Sequence, residues 1–117
     1  MDIVQFVTID DGDDLVLSFS FPEGTQFGVG GFVIQRTPKL EFALMPHERG
    51  PSIDWTEDDE VILVKEVNLT RNVITIRTQY DLYSFDISKI SDEEFNDVRR
   101  ILEKMNFDNI FKCTYSE

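Results

Sequence analysis

A chain of 117 residues can build one hydrophobic core without disulfide or metal staples. Its hydrophobic share of 41%, with ten phenylalanines, excludes a disordered acidic tail. Its 23 Asp and Glu against 11 Lys and Arg, a formal net charge of −12, disfavour nucleic acid and anionic membranes as partners. The excess is lopsided: up to Glu60, 13 acids face only Arg36, Lys39 and Arg49. Such a field favours encounter with a basic protein.

In chain order, Ile3 to Ile9 is a β-rich run. Leu15, Leu17, Phe19 and Phe21 then alternate with Asp14, Val16, Ser18 and Ser20, the pattern of a half-buried strand. Asp11-Gly12 between them predicts a two-residue hairpin loop with positive φ. Gly28, Gly30 and Gly31 predict a loose segment before the strand Phe32 to Arg36, and Pro38 restricts Thr37 to extended geometry. Leu40 to Met45 reads as a further strand stopped by Pro46. From His47 to Glu60 the composition turns to Pro, Gly, Ser, Asp and Glu around the single tryptophan, Trp55, so this is the longest predicted loop, with room for a short strand at Ser52 to Trp55.

Val61 to Leu69 follows, with Ile62-Leu63-Val64 expected to be buried on both faces. Arg71-Asn72 marks a turn, Val73 to Thr78 returns, and Tyr83, Phe85 and Ile87 alternate in the last long run. The helix prediction is Asp92 to Met105, because Phe95, Val98, Ile101, Leu102 and Met105 recur at helical spacing. Ser91 and Glu94 form a capping box, with Ile90 and Phe95 at the staple positions. Asp92 to Glu94 and Arg99, Arg100 and Lys104 complement the helix dipole, so these charges read as fold signals. Ile110 to Tyr115 reads as a final strand or docked tail. The expected fold is α+β: a single β-rich domain over residues 1–117, about seven mostly antiparallel strands with one C-terminal amphipathic helix packed on the sheet or barrel.

The search for chemistry excludes more than it finds. His47 is the only histidine, and Pro51 stands where a zinc-protease helix would place its second one. Cys113 cannot form an intrachain disulfide and has no His or basic cluster nearby to lower its pKa, which points to a small hydrophobe in a reducing compartment. Asp10 to Asp14 lacks the ligand spacing of a calcium loop. The glycines from Gly28 to Gly31 lack the Lys-Ser/Thr of a phosphate cradle. No basic, then apolar leader opens the chain, and no apolar run reaches the ~20 residues of a membrane span. The expectation is a cytoplasmic, soluble, non-catalytic protein with no metal or cofactor.

Phe32-Val33-Ile34-Gln35-Arg36, Gly50-Pro51-Ser52-Ile53-Asp54-Trp55, Val64 to Asn72 with Ile74-Thr75-Ile76, and Ser91-Asp92-Glu93-Glu94-Phe95 together carry a resemblance. Over residues 30–107 the chain resembles the immunity proteins of bacterial polymorphic-toxin systems, in particular immunity family ten. In place of that family's polar, Gly-containing stretch it carries the shorter, more acidic Thr56 to Val61. The resemblance implies a cytoplasmic protein that binds and neutralises a cognate toxin without catalysis. The expected partner is a basic toxin or effector domain, and the expected state is monomer or weak homodimer. The candidate partner-binding residues are Asp54, Trp55, Glu57, Asp58, Asp59 and Glu60, with Trp55 as an aromatic anchor; its alternative role is a core residue closing the sheet. An acidic DNA mimic and a small-ligand-binding β-domain are the competing classes.

Overall fold

In the computed structural model, the described residues are 1–25, 31–54 and 61–116. Nine strands form one sheet: β1 (Asp2–Ile3), β2 (Phe6–Asp11), β3 (Leu15–Ser20), β4 (Phe32–Arg36), β5 (Ser52–Ile53), β6 (Ile62–Leu69), β7 (Val73–Thr78), β8 (Leu82–Asp86) and β9 (Lys112–Tyr115). Their spatial order is β1-β8-β7-β6-β5-β4-β3-β2, with β9 paired to β6. Pairings are antiparallel except β1 with β8 and β6 with β9. The α+β architecture with one C-terminal helix, α1 (Asp92–Met105), is the expected one.

The sheet curls back on itself. At its two ends the N-terminal segment acts as a lace, with the Val4 N–H donating to Asp86 O beyond β1 and the Gln5 N–H to Ser20 O of β3. Phe85 of β8 therefore lies against Phe21 and Phe32, ring centroids 5.0 and 5.1 Å apart. A register shift between Val64 and Glu66 turns β6 from its β5 partner toward β7, as a bulge bends a strand. Period-two alternation decides the faces: Leu17, Ile34, Ile53 and Ile62 stand opposite one another across four strands and point into the core.

Helix α1 runs along β2 and β3 on the core side, burying Val98, Ile101, Leu102 and Met105. Its start is the predicted capping box, with Ser91 Oγ accepting from the Glu94 N–H at 3.0 Å and Glu94 Oε1 accepting from the Ser91 N–H at 3.1 Å. The other Glu94 oxygen accepts from the Val7 N–H at 3.0 Å and so covers a donor on the edge strand β2.

Three local expectations are corrected. Residues 40–45 are not a strand: Pro38–Ala43 and Pro46–Glu48 are 3-10 turns. Each proline occupies a first-turn position, where its fixed φ and missing N–H start a helix rather than stop a strand. The β2–β3 connection spans residues 12–14, since Asp11 pairs with Leu15, and Gly12 does not have positive φ. Gly31 is held tightly rather than loosely, while Gly28 and Gly30 lie outside the described residues: the Gly31 φ is +74°, and a Cβ there would stand 1.9 Å from Phe19 O. Only glycine lets β4 begin this close to β3.

Candidate functional site

One residue over from the core row, Val16, Gln35, Ser52 and Leu63 stand in register across β3 to β6 on the opposite face of the sheet. They floor a groove whose wall is the segment from Thr37 to Gly50. A hollow of about 300 Å³ there is also lined by Asp14, Leu40, Leu44, Glu48 and Val61. It continues into a second hollow of about 220 Å³ through Leu44, Glu48, Val61 and Leu63, ending at His47 and Gln79.

The wall is fixed from inside by Arg36. Its side chain is 0% exposed, and all five of its N–H donors are used. Nε and Nη2 donate to the Glu41 carboxylate at 2.9 and 2.8 Å. Nη1 and Nη2 donate to Asp108 at 3.0 and 2.9 Å, and Nη1 also donates to Met105 O at the end of α1. The Phe107 ring lies over the guanidinium, 4.4 Å from its carbon. Burial works against the charge on Arg36, but the hydrogen bonds to Asp108 and Glu41 outweigh it and hold its pKa above the ordinary value. Glu41 also accepts from the Gly50 N–H at 3.2 Å, pinning the far end of the wall.

Because Glu41 is the inward-facing residue of the first 3-10 turn, the apolar side chains around it face outward. Phe42 is 81% exposed and Met45 60%, and Val61 across the groove is 65% exposed; Leu40 and Leu44 complete the rim. This run of large apolar side chains lies outside the core. Acid stands beside it. Asp14 accepts from the Thr37 hydroxyl at 2.6 Å, and Glu48 faces His47 at 3.8 Å.

Of the sequence-predicted site, Asp54 is exposed, and its N–H extends the β4–β5 ladder by donating to Val33 O at 2.9 Å. It follows β5 directly, whose Ser52 is in the groove floor. Trp55, Glu57, Asp58, Asp59 and Glu60 lie outside the described residues. Several other acids of the first half have internal partners: Asp13 pairs with Lys39 at 2.8 Å, and Asp11 with Lys104. Sequence reasoning missed Arg36, Phe42 and Met45. The detectable signal was Pro38 and Pro46 bracketing an apolar run, which favours turns over a strand.

Cys113 is half-buried against the core, and desolvation raises its thiol pKa, which suppresses the thiolate. His47 is exposed. Among the described residues no group of three or more His, Cys, Asp or Glu is placed to hold a metal ion, and no helix is long and apolar enough to cross a membrane. No family model, curated protein or solved structure matches the chain.

Among the described residues three carboxylates have lowered pKa values: at Asp86 the Ser88 hydroxyl and N–H donate to the carboxylate, and two others tie the packed fold to pH. The hydrogen bond from Arg36 lowers the Asp108 pKa. At Glu94 burial pushes the pKa up, but hydrogen bonds from the Val7 and Ser91 N–H groups outweigh it, so it too is lowered. Each native pKa lies below its unfolded value, so the stabilisation is complete above the ordinary carboxylate range and is lost as pH falls through the native values. Urea midpoints are expected to be level above about pH 5 and to fall below about pH 4. Glu94→Gln flattens part of that fall, whereas an acid limb identical to wild type shows that Glu94 has no share in it.

Proposed function

We propose that this chain is a non-catalytic acidic binding protein, the cytoplasmic immunity partner of a basic bacterial toxin domain, which it neutralises by occlusion. The observation that carries this reading is the set of outward-facing apolar side chains Leu40, Phe42, Met45 and Val61 around a groove that Asp14 and Glu48 also line. Apolar anchors surrounded by acid suit a partner whose contact face is basic: the anchors supply affinity and the field speeds encounter. The resemblance to immunity family ten points the same way, and in that reading Trp55 and Glu57 to Glu60 also contact the partner. The test is affinity purification of the tagged chain from its source bacterium at low salt, followed by reconstitution. The expected result is a stoichiometric complex with a basic protein whose association rate falls steeply as salt rises. Recovery of no such protein, or association indifferent to salt, contradicts the proposal.

A further inference from the structure

A pocket of the opposite charge lies at the other end of β6, where Leu69 stands about 20 Å along the strand from the groove residue Leu63 at ~3.3 Å per residue. Leu69, Arg71, Phe95, Arg99, Tyr115 and Ser116 enclose about 350 Å³. Two guanidiniums reach it from different elements, Arg71 from the β6–β7 turn and Arg99 from α1. Each lies over a ring: Arg71 is 5.2 Å from the centroid of Phe95, and Arg99 is 4.9 Å from that of Tyr115. Arg71 is oriented by three bonds, from Nη1 to Ile87 O at 3.2 Å, from Nη2 to Ile90 O at 2.7 Å and from Nε to the exposed Asp92 at 3.1 Å. One N–H on each of its Nη atoms remains for a ligand. Arg99 has only a 3.5 Å approach of Nε to Glu103, and its Nη donors meet no partner among the described residues. Both acids are solvent-exposed, so these pairs are weak and open at little cost.

We propose that this pocket binds an oxyanion carried on a flat apolar body, a carboxylate or phosphate whose oxygens meet the two guanidinium forks while its body lies on Phe95, Tyr115 and Leu69. Planar forks match carboxylate and phosphate geometry, and the rings supply a flat wall that a hydrated inorganic ion would not use. The site rests on different residues from the groove and stands or falls without it. The test is an amide NMR titration of the full chain at constant ionic strength with phenyl phosphate, benzoate and benzylammonium. Saturable shifts confined to Leu69, Arg71, Arg99 and Ser116 are expected with at least one anion and not with the cation, and the tighter anion identifies phosphate or carboxylate chemistry. The Arg99 side chain is half-exposed and its contacts within the fold are with the Tyr115 ring and Glu103, so Arg99→Gln is expected to leave the urea midpoint nearly unchanged and to weaken binding at least about tenfold. Absence of saturable shifts with both anions, equal shifts with benzylammonium, or an Arg99→Gln titration like wild type overturns the proposal.

Discussion

Arg36→Ala is expected to lower folding stability by about 3–5 kcal/mol, a large share of what a domain this size possesses. The reason is the company it leaves behind. Glu41 remains buried with a carboxylate that has lost its fork, Met105 O at the end of α1 loses a charged donor, and Asp108 loses two bonds. Arg36→Lys keeps the charge but not the five-donor geometry, so it recovers only part of the loss. Replacing Arg36 and Glu41 together by Met and Leu is expected to cost less than Arg36→Met alone, since no buried carboxylate is then stranded. Urea unfolding followed by circular dichroism measures all four. An Arg36→Ala variant within about 1 kcal/mol of wild type would mean that the clamp does not hold the wall.

Phe42→Asp is expected to weaken partner binding by about 2–4 kcal/mol, the range of an interface anchor, while leaving the urea midpoint nearly unchanged. Phe42 contributes little to folding because it is 81% exposed. In the complex, the substitution would put a carboxylate where an aromatic ring is to be covered, and a buried unpaired charge is costly. Asp54→Asn tests a different contribution. It is expected to slow association at low salt with a smaller change in dissociation, as a rim charge does.

The elements written in local pattern were legible from sequence. Alternation at Leu15 to Phe21 and at Val73 to Thr78, and helical spacing with a capping box at Ser91 to Met105, need only neighbours in the chain to be recognised. The site wall was not legible, because its geometry depends on long-range partners. Leu40 to Met45 looks like a strand until Arg36, fixed by Asp108 and the end of α1, draws Glu41 inward and turns the apolar side chains out. The acidic excess was visible as a sum but not as a surface. Asp11, Asp13 and Glu94 have partners within the fold, whereas Asp14 and Glu48 line the groove and Asp54 is exposed just after β5. The stretch around Trp55 was singled out from composition alone; of it, Asp54 directly follows β5, whose Ser52 is in the groove floor, and residues 55–60 lie outside the described residues.

The most direct test of the central claim is growth of bacteria expressing the basic partner together with either the wild-type chain or Phe42→Asp. The account predicts that the wild type restores growth and that Phe42→Asp, present at the same level and equally stable to urea, does not. Equal protection by both, or protection by neither, would contradict it.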